Sequence, residues 1–173
     1  MSIIKRIDSL GRIVLPKSIR KSLNIKNSDE VEIECSQDKI IISKYNIVEK
    51  NEEIVEDIIC VLKNYLPKNL SVIITDTNIV LNASNLEFKG FKLSSGYLLR
   101  LNSRKPFKES VAPSFSPFEK SDNIILKLSF PVIVDSMLYG SIAIIGSRES
   151  IGVSKEIDKI LEFCRDLIIK IMC

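Results

Sequence analysis

The sequence predicts an α+β chain with a small basic head and a larger body, in which helices pack on an antiparallel sheet. Apolar residues alternate at period two in short segments up to Tyr45, then recur at helical spacing from Ile54. Two amphipathic segments bracket a pair of β-hairpins in the body. Charge is divided as well. Residues 1–27 hold seven Lys or Arg against Asp8 alone, so they carry +6, and the remaining residues carry −3 of the total +3. Such asymmetry is expected where one part of a chain meets a polyanion.

In the head, "SIIKRID" reads as a short strand, Gly11 breaks it, and "RIVLP" resumes an extended pattern. Gly11 suits a turn position with positive φ. Pro16 suits the first turn of a helix, where its missing N–H is no loss, and the helix runs through "KSIRKSL". Ile19 and Leu23 form its apolar stripe, with Arg20 and Lys21 beside it. After the polar break "NIKNSD", the segment "VEIECS" sets Val31, Ile33 and Cys35 on one face and Glu32 and Glu34 on the other. "SQDK" turns the chain into a returning strand, "IIISKY". Residues 3–45 therefore read β-β-α-β-β. So small a unit has little core of its own, which argues for dimerisation.

The body opens with a helix carrying Ile54, Val55, Ile58, Ile59, Leu62 and Leu66 and ending before Pro67. Glu52, Glu53, Glu56 and Asp57 crowd its first turns, where the helix dipole favours them. A hairpin across Asp76–Asn78 joins "LSVIITD" to "NIVLNAS", and a second across Asp135–Ser136 joins "IILKLSFPVIV" to "MLYGSIAIIGS". A helix around "LSSGYLLRLNS" and a loop over 103–123 lie between them. The closing helix carries Ile157, Ile160, Leu161, Cys164, Ile168 and Ile171 on one face, with Ser154 as its N-cap. The two bracketing helices are expected to pair with each other or with copies in another subunit.

Composition excludes several function classes. The 173 residues include four cysteines, none in a C-x-x-C pair, and no histidine. Zinc sites and imidazole-based catalysis therefore drop out together. No P-loop or G-x-G-x-x-G is present, so no catalytic residue, metal or cofactor is expected. No apolar run approaches the ~20 residues that span a bilayer. The first residues lack an apolar stretch behind their charges, so a cytoplasmic protein is expected.

The run Leu10-Gly11-Arg12-Ile13-Val14-Leu15-Pro16, with "KRID" before it and "VEIE" and "KIIISKY" after it, resembles the DNA-binding domain of the AbrB transition-state regulators. The helix and "FPVIVDSMLYGSIAII" hairpin that follow resemble a GAF domain. These resemblances imply a swapped-hairpin domain over 1–46, its small β-barrel formed by two chains. They also imply a linker over 47–52 and a GAF-like domain with flanking oligomerisation helices over 53–173. They imply a homodimer through the head, a homotetramer through the helices, and double-stranded DNA as partner. The DNA-binding residues they imply are Lys5, Arg6, Arg12, Arg20 and Lys21. Lys5 and Lys21 stand where the family often has arginine, so the phosphate contact is kept but the guanidinium fork is lost. Lys17 is added as either a phosphate contact or a solvated lysine.

The resemblance implies a nucleoid-associated transcription regulator, of sporulation genes. A GAF-like domain further implies a small-molecule effector or a purely oligomerising role. A covalently held bilin would need a cysteine between Cys60 and Cys164, and haem with a histidine ligand is impossible. Phe107, Phe115 and Phe118 either lid a pocket or pack on the sheet. The alternative function is an antitoxin-like protein, since antidote proteins share the swapped-hairpin fold. That role needs a disordered segment to wrap a toxin.

Overall fold

In the computed structural model the described residues are 3–23, 25, 27, 30–45, 50–111, 114–150 and 152–172. By internal contacts the chain falls into two units, Met1–Tyr45 and Asn46–Cys173. Of the expected linker over 47–52, residues 47–49 lie outside the described residues, as does most of the polar break 24–29.

The first unit contains helix α1 (Lys17–Ser22) and a hairpin of β1 (Val31–Ser36) and β2 (Lys39–Lys44). The hairpin turns at Gln37 and Asp38, with Gln37 at φ 51°. Its register sets Ile33 opposite Ile42 and Cys35 opposite Ile40, so the expected apolar face does form. Within one chain that face is not covered: Ile33 and Ile40 are exposed. The two expected strands before α1 are not strands here. Residues 3–7 and 13–16 flank a turn and belong to no ladder among the described residues. The reason is physical: an extended segment becomes a strand only when its backbone groups meet a neighbour. Ile4 is 93 % exposed and Val14 76 % exposed, and Ile25 is the only buried hydrophobic residue among those described in this unit.

The second unit solves its burial problem internally. Helix α2 (Glu52–Tyr65) leads to β3 (Leu70–Thr75) and β4 (Val80–Ala83). Helix α3 (Ser95–Asn102), the two-residue β5 (Phe107–Lys108), β6 (Ile124–Val134), β7 (Met137–Ser147) and α4 (Lys155–Met172) complete it. The sheet is antiparallel in the order β4-β3-β7-β6-β5. Asp135 and Ser136, at φ 46° and 64°, make the tight two-residue link from β6 to β7. At the other hairpin, Asp76 Oδ1 accepts from the Asn78 and Ile79 amides, both at 2.6 Å. Strand β5 falls in the stretch expected as loop. Two residues are too few for alternation to reveal.

Both sheet faces are covered, and alternation assigns the residues. Val72, Ile74, Ile142 and Ile144 face α2 and α4, contributing to one core with Val55, Ile59, Leu62, Leu161, Cys164 and Ile168. Ile73, Ala143 and Ile145 face the opposite core, with Leu93, Tyr97 and Leu101. The bracketing helices thus share one core, although Ile54 points outward and is exposed. Ser154 caps α4, its Oγ accepting from the Ile157 amide at 3.4 Å. No helix among the described residues is long and apolar enough to cross a membrane.

Phe107 and Phe118 are buried in the second core, and Phe115 packs against it. Phe115 meets Phe107 edge-on at 5.1 Å, and Phe88 stacks on Phe118 at 5.5 Å. Phe107 and Phe115 are packing, while Phe118, also buried, forms with Phe91 part of the wall of a cavity of about 290 Å³. Beneath them Tyr97 is fully buried. Its hydroxyl bonds Ser129 at 2.8 Å and Ser141 at 2.7 Å, and Ser141 bonds Thr75 at 2.9 Å.

Burial pushes the Tyr97 hydroxyl from 10.0 up to about 12, against the bonds from Ser129 and Ser141, which lower it. A raised folded value stabilises the neutral form, so this contribution is intact below pH 10 and is lost as pH rises through about 12. Tyr97→Phe leaves the Ser129 hydroxyl without its partner and should destabilise the unit by about 1–3 kcal/mol at neutral pH. It should also flatten the alkaline limb of the stability curve. Urea unfolding across the alkaline range checks both.

Candidate nucleic-acid interface

Asp8 organises the turn at the start of the basic stretch. Its amide donates to the Arg12 carbonyl and its carbonyl accepts from the Gly11 amide, both at 3.0 Å. Its carboxylate then bonds the residues it encloses. Oδ1 accepts from the Leu10 amide at 2.9 Å and the Arg12 amide at 2.8 Å. Oδ2 accepts from Arg12 Nε at 2.8 Å. Gly11 takes φ +76°, a left-handed conformation that a side chain would disfavour. Turn chemistry explains the sequence here: an Asp accepting amides ahead of it, with Gly where φ is positive.

This arrangement fixes what Arg12 can offer. Nε is engaged by Asp8, while the two terminal nitrogens make no hydrogen bond among the described residues. The Arg12 side chain remains 70 % exposed. The result is a cation with an oriented end, free to donate two parallel N–H groups.

Helix α1 supplies the other cations. Pro16 precedes it as the N-cap residue, one position earlier than expected, and its carbonyl accepts from the Arg20 amide at 3.0 Å. Lys17, Arg20 and Lys21 stand at i, i+3 and i+4, so they share one face of the helix. Arg20 and Lys21 lie in the last turn, where the helix dipole favours positive charge. Lys17 and Lys21 are exposed and Arg20 is half-buried. Arg20 is anchored, its Nη1 donating to Asn27 Oδ1 at 2.7 Å while its carbonyl accepts from Ile25 at 2.7 Å. Lys5 and Arg6 are exposed, before the turn. The structure thus groups three of the six residues on one helix face and ties Arg12 to the turn. Among the described residues no hydrogen bond joins turn to helix.

Two residues matter that the basic pattern did not single out. Asp8 registers in the sequence only as the lone acid of the head, and the Asp8-to-Arg12 spacing was its available signal. Asn27 holds Arg20 from seven residues away, and no local pattern announces it.

The Arg12 amide, and then the Arg12 side chain, hold the Asp8 carboxyl below its usual 3.8, and the Leu10 amide adds to this. A depressed folded value means that the clasp contributes above pH 3.8 and is lost as pH falls through the lower folded value. The Arg12 Nε–H resonance should therefore shift with a midpoint below that of free aspartate. Asp8→Asn should abolish the titration, as read by NMR on the full chain.

Comparison with known proteins follows this division of the chain. Residues 4–50 match the family model described as antidote-toxin recognition MazE, bacterial antitoxin. Stage V sporulation protein T of Bacillus subtilis is 28 % identical over 155 residues, which is 87 % of this chain and 86 % of that protein. The transition state regulatory protein AbrB of the same organism is 42 % identical over 43 residues, 25 % of this chain and 45 % of that one. Among solved structures, a GAF domain/HD domain protein from Geobacter sulfurreducens matches with a TM-score of 0.49 at 14 % identity, covering 69 % of this chain and 90 % of that one. The likeness carried by the opening motif is therefore to AbrB in the head, and to stage V sporulation protein T across both units.

Proposed function

We propose that this chain, a relative of AbrB and of stage V sporulation protein T, is a DNA-binding regulator of transcription acting on sporulation genes. The observation that carries the reading is the Asp8-clasped Arg12 at the head of the basic turn and helix, inside the segment that resembles AbrB. A guanidinium held by Nε with its terminal pair open suits a bidentate bond to guanine O6 and N7. Lys5, Arg6, Lys17, Arg20 and Lys21 supply phosphate contacts around it. A two-fold dimer doubles these cations to about ten, enough for the steep salt dependence of a DNA binder.

Exposed apolar surface supports the assembly. Ile4, Ile7, Val14, Ile33 and Ile40 are left uncovered in one copy of the head, and a second copy's hairpins bury such residues in a shared barrel. On α2, Ile54, Val61 and Tyr65 are exposed, and on α4 Phe163 and Leu167. These make second apolar stripes suited to bundling, so the proposed state is a tetramer built from two head dimers, located at the nucleoid. The second unit serves oligomerisation and effector sensing.

The match to a MazE model favours a second reading, toxin neutralisation. That role asks for a disordered wrapping segment, whereas a packed five-stranded unit follows the head here. DNA regulation is the better fit.

Arg12→Lys should lose about 1–3 kcal/mol at specific sites with little change in non-specific binding, because lysine has no fork. Lys17→Ala should weaken all sequences alike and lower the salt slope by about one. Titrations of specific and random duplexes at several salt concentrations separate the two. Triple alanine replacement at Arg6, Arg12 and Arg20 that left DNA affinity unchanged in a folded protein would refute the proposal. Light scattering should give a tetramer for the full chain, and a monomer at micromolar concentration would refute the assembly.

A further inference from the structure

Two arginines of the basic stretch are each held by a neighbouring side chain, and they are held by different atoms. Asp8 takes Nε of Arg12, which leaves that guanidinium its terminal pair. Asn27 Oδ1 takes Nη1 of Arg20 at 2.7 Å, while Nε and Nη2 of Arg20 make no hydrogen bond among the described residues. Those two nitrogens lie along one side of the guanidinium plane, in the fixed geometry of its fork. Arg20 therefore keeps a side-on pair of donors where Arg12 keeps an end-on pair.

The stretch that brings Asn27 to Arg20 is itself fixed. The Ile25 amide donates to the Arg20 carbonyl at 2.7 Å, the long bond that closes a helix C-terminus. Ile25 itself is buried. Backbone and side chain of Arg20 are thus both tied to the chain that follows the helix. A free arginine surrenders much rotamer freedom when it binds, and a held one has less to lose.

Charge separates the two pairs as well. The charges of Arg12 and Asp8 sum to zero, whereas the Asn27 amide adds none, so Arg20 keeps its full positive charge. A neutral pair suits the edge of a base; a charged, two-pronged donor suits a phosphate. Lys17 and Lys21, exposed on the same face of α1, keep that face cationic. We infer that Asn27 is a positioning residue, which holds Arg20 so that its Nε and Nη2 grip one DNA backbone phosphate through two parallel bonds. This rests on the DNA-binding reading above and names, within it, the atoms of Arg20 that meet the ligand.

The test uses the full chain and a duplex of random sequence, since a phosphate contact needs no particular site. Without DNA, the Nη1 and Nη2 resonances of Arg20 should be distinct in the parent and merge in Asn27→Ala. Asn27→Ala should bind the duplex about three- to tenfold more weakly with an unchanged salt slope. In an Arg20→Gln background the same replacement should cost nothing further, whereas a residue that only supports the fold would cost as much in both. Asn27→Asp keeps the acceptor but cancels the charge, so the salt slope should fall by about one for each bound subunit. Asn27 is exposed, and Tm and light scattering on every variant check that the fold and assembly are kept. The inference is overturned if Asn27→Ala binds like the parent, if its cost survives in Arg20→Gln, if Asn27→Asp leaves the slope unchanged, or if the parent resonances are already merged. A parent that binds no duplex refutes the DNA-binding proposal and this inference together, whereas failure among the variants alone leaves the former standing.

Discussion

The pairing of β6 with β7 is the constraint on which the second unit is built, because every other element of that unit packs on it or extends it. Eleven residues on each side meet across a turn whose two residues both take left-handed conformations. β7 is then central, with β3 on its other edge, so its alternating residues feed two cores at once. The fit leaves little room for change. A Cβ on Gly140 would sit 1.8 Å from the Thr75 carbonyl, so only glycine lets the end of β3 pass so close. Helices α2 and α4 close one face, and α3 with the Phe107–Phe118 rings closes the other.

The head faces the opposite problem. Its local structure is well determined by short-range chemistry, yet among its described residues only Ile25 is buried, and Ile4, Ile7, Val14, Ile33 and Ile40 stay exposed within one chain. The Asp8 clasp needs nothing beyond the residues of its own turn, so the cation it orients is defined even where tertiary packing is absent. The two units thus divide the labour physically. One is held by burial, and the other by local hydrogen bonds: the Asp8 clasp, the turn of α1 and the β1–β2 ladder.

That division also explains what was legible in the sequence. Elements of the second unit could be read because burial imposes period on them: Val72, Ile73 and Ile74 alternate between two cores, and Val55, Ile59 and Leu62 repeat at helical spacing. The basic turn and helix could be read because charge and Gly-Pro punctuation are local. Three features were not legible. Strand β5 is too short to show a period. Residues 3–7 and 13–16 carry strand pattern, but a ladder needs a partner that sequence periodicity cannot supply. Asn27 with Arg20, and Asp158 with Lys108, are joined only by the fold.

Lys127 interrupts the apolar run of β6, "IILKLSFPVIV", and is buried there against Glu109. In the finished structure an uncharged residue of similar shape could fill that place without the desolvation cost of an ion pair. Before the chain has folded, the balance is reversed. An eleven-residue strand rich in Ile, Leu, Val and Phe tends to pair with its own copies, and Lys127 and Pro131 both oppose that here. An ammonium at its fourth position makes in-register stacking repulsive, because every added copy brings another unmatched charge alongside. Only the native arrangement brings the carboxylate of Glu109 to it. The ion pair with Glu109 is what lets the folded unit keep a charged residue inside a strand of this composition.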